Sequence, residues 1–162
     1  PSKRLDMLIR SAADLGSDVG VYIIGGIPTQ AYTDLQRELG AENVHFVGFL
    51  KKDKLTQYYQ AADLFALPTQ SDVWGLVINE AMAQGLPVVT TDGCVAGVEL
   101  VENGINGYIV PVDDNEALTE AIAKTLHADY RQMGRQALET IRPYTIENMV
   151  KAHVEIFSDG RK

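Results

Sequence analysis

Short apolar segments alternate with amphipathic segments along almost the whole chain. The apolar segments are rich in β-branched and aromatic residues, as is typical of buried strands. They predict strands at 19–24, 43–48, 62–67, 88–91 and 108–110. Elsewhere apolar residues recur at three- and four-residue steps, which predicts helices at about 2–16, 28–39, 52–61, 74–85, 95–101, 113–126, 128–141 and 146–157.

This alternation of strand and helix indicates the α/β class, with a doubly wound, mostly parallel sheet flanked by helices. Ser2 is expected to cap the first helix, Pro28 to open the second, and Asp113 or Asp114 to cap the helix that follows the last strand. A length of 162 residues suits a single domain over 1–162.

The stretch 71–82, SDVWGLVINEAM, carries two carboxylates, Asp72 and Glu80, in an otherwise apolar segment. Pro68 ends the strand before it, because proline cannot donate to a sheet ladder. In a parallel sheet the loop after a strand lies at the carboxyl edge, where ligands of open α/β sheets usually bind. We therefore expect a site in the loop that carries Asp72.

The helix after this loop is apolar nearly all round, which predicts that it is mostly buried. Glu80 lies on the same face as Leu76, four residues earlier, and an unpaired buried carboxylate would be costly. Glu80 therefore requires a partner. It lies roughly 8 Å along the helix axis from the helix start, so one ligand could contact both Glu80 and the loop around Asp72.

The free backbone amides of Gly75, Leu76 and Val77 at the helix start suit an anion such as a diphosphate. The alternative is structural: Asp72 caps the helix and Glu80 bonds to a neighbouring backbone group. The spacing alone leaves both interpretations open.

Composition excludes several other functions. The net charge of −8 and the lack of a basic stripe argue against nucleic-acid binding. Cys94 is the single cysteine, and the three histidines do not cluster in sequence, so no metal site is predicted. Gly25 and Gly26 follow a predicted strand but lack the full glycine fingerprint of a dinucleotide-binding loop, so no nicotinamide cofactor is predicted. No apolar stretch could span a bilayer, which favours a cytoplasmic protein, with peripheral membrane attachment left open.

The segment SDVWGLVINEAMAQGLPVVTT, followed by GVELVENGINGYIVPVDD, closely resembles the signature of the group 1, retaining, nucleotide-sugar-dependent glycosyltransferases. The resemblance runs from Lys3 to about Leu126 and includes KRLDMLI, VYIIGG, NVHFVGFL and ADLFALPT. It implies the carboxyl-terminal, donor-binding half of a GT-B architecture of two Rossmann-like domains. It also implies a nucleoside diphosphate sugar as donor, no metal or other cofactor, and an acceptor domain that is absent here.

The family motif is Glu-x7-Glu, and Asp72 and Glu80 occupy its two positions. The resemblance implies that the first carboxylate faces the donor sugar and that the second bonds the ribose hydroxyls. Aspartate for the usual glutamate at position 72 is a departure with a shorter reach. The resemblance further implies that Lys3 contacts the phosphates, and that Val47, Gly48 and Phe49 line the base pocket.

The resemblance also predicts a break in the sheet. The family places a strand ending in Gly-Arg before the first helix, and this chain has no room for it. The sheet should then open between the strands at 19–24 and 62–67, and the chain should be a fragment that binds the donor but cannot catalyse alone. The alternatives are a non-catalytic nucleotide-binding or regulatory domain, or an epimerase or phosphorylase of the same architecture.

Overall fold

The computed structural model describes residues 2–159, which contain five strands and eight helices. The strands are β1 Val21–Ile24, β2 Val44–Gly48, β3 Phe65–Leu67, β4 Val88–Thr91 and β5 Gly107–Val110. The helices are α1 Leu5–Leu15, α2 Gln30–Glu38, α3 Lys52–Ala61, α4 Leu76–Ala83, α5 Val95–Leu100, α6 Asn115–His127, α7 Tyr130–Ile141 and α8 Ile146–Asp159. The predicted α/β class and the order of its elements are confirmed.

All five strands pair in parallel, but they form two sheets rather than one. In the first sheet β1 pairs with β2, and Val21 lies opposite Val44. In the second the order is β3-β4-β5, with Phe65 opposite Val88 and Val88 opposite Gly107. Strands β1 and β3 therefore lie in different sheets, and the predicted opening of the sheet between them is confirmed.

Helix α1 packs on both sheets through different sides. Met7 and Leu8 lie in a buried cluster with residues of β4, β5 and α6. Ile9 and Ala12 lie in another, with residues of β1, β2 and α2. One amphipathic helix therefore joins two sheets that share no strand pairing.

The starts of the first two helices differ from the prediction. Ser2 does not cap α1; its carbonyl oxygen accepts bonds from the Gln70 amide at 2.7 Å and the Thr69 hydroxyl at 3.0 Å. The N-cap residue is instead Arg4, in the left-handed conformation. Helix α2 begins two residues after Pro28 rather than at it.

Two further boundaries are now defined. Strand β3 begins at Phe65 rather than at residue 62, because the Ala62 amide still donates to the last turn of α3. Asp114, and not Asp113, caps α6, since its carboxylate accepts a bond from the Ala117 amide at 2.9 Å.

Helix α8 leaves its apolar side chains open to solvent. Its described side chains are all exposed, among them Ile146, Val154 and Phe157. Within residues 2–159 no helix is long and apolar enough to cross a membrane.

Helices α4 and α7 approach each other closely at two glycines. A Cβ atom at Gly134 of α7 would overlap the carbonyl oxygen of Gly85, which lies two residues after the end of α4. We expect Gly134→Ala to lower the free energy of unfolding by about 1 to 3 kcal/mol, although alanine by itself favours a helix. Urea unfolding measures this change. Gly26→Ala is the control, because a Cβ atom there meets nothing within 4 Å, and equal losses in both variants would contradict the close packing.

Candidate functional site

The loop between β3 and α4 is tied to the chain that follows β4. The Asp72 amide donates to the carbonyl oxygen of Gly93 at 3.0 Å, and the Val95 amide donates to the Asp72 carbonyl at 3.3 Å. The Ala96 amide donates to the carbonyl of Trp74 at 2.8 Å. These bonds continue the parallel pairing beyond the ends of β3 and β4, so the loop has a defined conformation at the carboxyl edge of the sheet.

Gly75 is the N-cap residue of α4, with a φ of 92° that favours glycine. A Cβ atom there would lie 2.7 Å from the Sγ atom of Cys94, which is buried. The Cys94 thiol donates to the carbonyl oxygen of Trp74 at 3.4 Å. Leu76 and Val77 begin the helix, so their amides have no acceptor in a preceding turn and suit an anion.

The structure brings together two of the predicted site residues, Lys3 and Asp72, as an ion pair. The Lys3 side chain is 48% exposed and the Asp72 side chain 19% exposed. The other Asp72 oxygen accepts a long bond from the Trp74 amide at 3.4 Å. Asp72 does not cap α4, because the N-cap is Gly75 and no side chain bonds there, so the simple capping interpretation is wrong.

Arg4 fixes the segment that carries Lys3. Its guanidinium pairs with Asp6 at 2.9 Å and also with Asp113, which follows β5. The hydrogen bond from Arg4 holds the pKa of the Asp6 carboxyl below its usual value. No pattern in the sequence singles out Arg4, because its two ion pairs form from a left-handed backbone conformation before α1.

Glu80 is exposed, and the prediction that it is buried is wrong. Helix α4 buries one side only, through Ile78, Ala81 and Met82, whereas Leu76 is 70% exposed. Glu80 does share the face of Leu76, as predicted, but that face is open to solvent. Glu80 does have a hydrogen-bond partner within the chain: the Tyr59 hydroxyl of α3 donates to Oε2 of Glu80 at 3.2 Å.

The indole of Trp74 links the loop to α4. Its Nε1 atom donates to Oδ1 of Asn79 at 2.9 Å. The sequence did not predict this hydrogen bond or the one from Tyr59 to Glu80, because neither pair has a spacing that sequence patterns single out. Both require the three-dimensional arrangement of the loop and of α3.

Gly48 and Phe49 lie at the end of β2, in the other sheet. Gly48 has a φ of 77°, and its carbonyl oxygen accepts the Gly25 amide at 2.9 Å. Phe49 is 86% exposed. In the described part of the chain, no hydrogen bond joins these residues to Asp72 or Glu80, so their place in one site stays a prediction.

Residues 2–159 contain no group of three His, Cys, Asp or Glu side chains that could hold a metal ion. The candidate site comprises the start of α4, the Lys3 ammonium group, the carboxylates of Asp72 and Glu80, and the residues that hold them.

The fold and the site define a class of protein: a Rossmann-like α/β domain with a glycine-started helix and paired charges at the carboxyl edge of a parallel sheet. The family model described as glycosyl transferases group 1 matches residues 1–140. The chain belongs to this family.

Relatives with a curated name support the assignment. The D-inositol 3-phosphate glycosyltransferase of Mycolicibacterium gilvum is 34% identical, over 94% of this chain and 36% of that protein. The protein of the same name from Mycobacteroides abscessus is 36% identical, over 99% of this chain and 38% of that protein. The chain thus spans a little over a third of the length of these relatives.

Solved structures share the fold. Anabaena Alr3699/HepE in complex with UDP has a TM-score of 0.89 and 26% identity, over 98% of this chain and 46% of that chain. Sucrose-phosphate synthase from Thermosynechococcus elongatus has a TM-score of 0.82 and 26% identity, over 98% and 43%. The GT-B glycosyltransferases are therefore the structural neighbours of this domain.

Gly75→Ala tests the packing at the start of α4. The variant places a Cβ atom against Cys94 and forces a positive φ on alanine, which alone costs about 1 to 2 kcal/mol. We expect a larger loss in thermal unfolding than Gly40→Ala shows, because Gly40 has a φ of 62° with nothing within 4 Å of its Cβ position. Equal losses would mean that only the backbone conformation matters at Gly75.

Proposed function

We propose that this chain binds the nucleoside diphosphate sugar donor of a retaining glycosyltransferase. The observation that carries the proposal is the start of α4, where glycine-begun backbone amides lie beside the Lys3–Asp72 ion pair. A diphosphate is the anion that this combination suits, because amides and an ammonium group together compensate its charge. A related structure supports the choice, since Alr3699/HepE has been solved in complex with UDP-glucose.

Lys3 can move from Asp72 to a phosphate. The Lys3 side chain is 48% exposed, so an arriving diphosphate can reach its ammonium group and compete with Asp72 for it. The amides of Gly75, Leu76 and Val77 would bind the same group. As the sugar leaves, charge builds on the nucleotide, and these fixed donors stabilise it.

The nucleoside would lie along α4 and the end of β2. Glu80 is exposed and can accept hydrogen bonds from two ribose hydroxyls. The exposed ring of Phe49, together with the backbone at Gly48, would line the base pocket. Once Lys3 has turned to the phosphates, Asp72 would face the donor sugar.

The acceptor would be held by another part of a longer polypeptide, across a cleft. This agrees with a chain that spans 36% of the length of a relative named as a glycosyltransferase. The donor half then supplies electrostatic stabilisation, and the other half supplies acceptor positioning. We propose a glycan or lipid-linked glycan as the acceptor, reached at the cytoplasmic face of a membrane, and no metal requirement.

Glu80→Gln tests the ribose contact. We expect UDP to bind more weakly by about 1 to 3 kcal/mol, because an acceptor for two hydroxyls becomes a neutral amide. Isothermal titration calorimetry measures the affinity. Glu38→Gln, at the exposed end of α2, is the matched control, and unchanged affinity in a folded Glu80→Gln protein would remove Glu80 from the site.

Asp72→Asn separates sugar binding from diphosphate binding. If Asp72 contacts the donor sugar, UDP-glucose affinity should fall by about tenfold, the scale of a charged hydrogen bond. UDP affinity should hold or rise, because Lys3 no longer has a carboxylate partner. Titrations with both ligands measure this, with Asp18→Asn as the control.

If Asp72→Asn changed the affinities for UDP and UDP-glucose equally, the proposed contact between Asp72 and the donor sugar would be wrong. Binding of several nucleotide sugars without slow hydrolysis or transfer would instead favour a non-catalytic nucleotide-binding domain.

A further inference from the structure

In the described part of the chain, the Glu80 carboxylate takes part in one side-chain hydrogen bond. It projects from an exposed face of α4, and glutamate in such a position has several accessible rotamers. The Tyr59 hydroxyl donates to its Oε2 atom at 3.2 Å. A contact between two helices thus selects among the rotamers of an otherwise mobile carboxylate.

Tyr59 is itself well supported. It lies in the last turn of α3, is partly buried, and packs against the core cluster that contains Ile78 and Met82 of α4. Its ring lies against Phe65 of β3, with centroids 6.0 Å apart and planes inclined by 57°. The hydroxyl therefore has a position set by the same sheet that carries the Asp72 loop.

The protonation state of Tyr59 suits a permanent donor. Burial, followed by the charge and the hydrogen bond of Glu80, raises the pKa of the Tyr59 hydroxyl above its usual value. The phenol therefore keeps its proton through the neutral range. It bonds to Oε2, so Oε1 and the remaining lone pairs of Glu80 can accept from a ligand.

We propose that Tyr59 is a positioning residue that orients Glu80 toward a ribose diol and so makes the domain selective for ribonucleotides. This inference rests on the proposed function, since it assumes that Glu80 meets the nucleoside. Holding the carboxylate in place before binding lowers the loss of side-chain freedom when the ligand arrives. The effect is confined to ligands that carry the ribose hydroxyls.

Tyr59→Phe tests the inference, because it removes the hydroxyl and keeps the ring that packs on Phe65. The probes are UDP and 2′,3′-dideoxy-UDP, and the readout is the ratio of their affinities by calorimetry. We expect Tyr59→Phe to weaken UDP binding by about threefold to tenfold, the range of one hydrogen bond, and to leave the dideoxy ligand unchanged. A merely structural role would weaken both ligands equally and would overturn the inference.

Tyr58→Phe is the matched control, because Tyr58 is the neighbouring residue of α3 and its ring lies instead near Tyr22 at 5.9 Å. Glu80→Asp is a second variant that retracts the carboxylate from Tyr59, and it should lower the ratio as Tyr59→Phe does. Combining Tyr59→Phe with Glu80→Asp should lower the affinity ratio no further than one change alone. Fully additive losses would contradict the inference.

Glu80→Gln separates this inference from the proposed function. If Glu80→Gln leaves the affinity ratio unchanged, the ribose contact itself is wrong. If Glu80→Gln lowers the ratio and Tyr59→Phe does not, the ribose contact stands and the positioning role of Tyr59 is wrong.

Discussion

The packing of α1 against both sheets is the constraint on which the rest of the structure depends. Strand β1 pairs with β2, and β4 pairs with both β3 and β5. No strand pairing joins the two sheets. Met7 and Leu8 bury against one sheet, and Ile9 and Ala12 against the other. Adjacent residues on a helix point in different directions, which lets one short helix serve two cores.

The same packing places the start of α1 at the candidate site. The Ser2 carbonyl bonds to the chain just after β3, and Arg4 pairs with Asp113 just after β5. Lys3 lies between these two anchors and pairs with Asp72. A flexible lysine near the start of the chain is thereby held at the carboxyl edge of the sheet.

Sequence patterns predict the elements well where burial is complete. All four residues of β4 are buried, and their β-branched composition indicates this directly. The patterns fail at α4 because an apolar composition predicts burial on every side, whereas an eight-residue helix packs through one. They cannot identify Tyr59, whose partner is 21 residues away on another helix. The Asp72 loop could be placed, but its ion pair with Lys3 spans 69 residues and required the structure.

The two carboxylates of the candidate site are held through different side chains. Asp72 is held by the backbone that follows β4 and by Lys3, both at the carboxyl edge of the β3-β4-β5 sheet. Glu80 is held from α3 through a hydroxyl whose ring packs against β3. Because these supports share no side chain, a change in the reach of the first carboxylate, such as aspartate for glutamate, leaves the second in place. Under the proposed function, a change in the contact to the sugar is therefore compatible with an unchanged contact to the nucleoside.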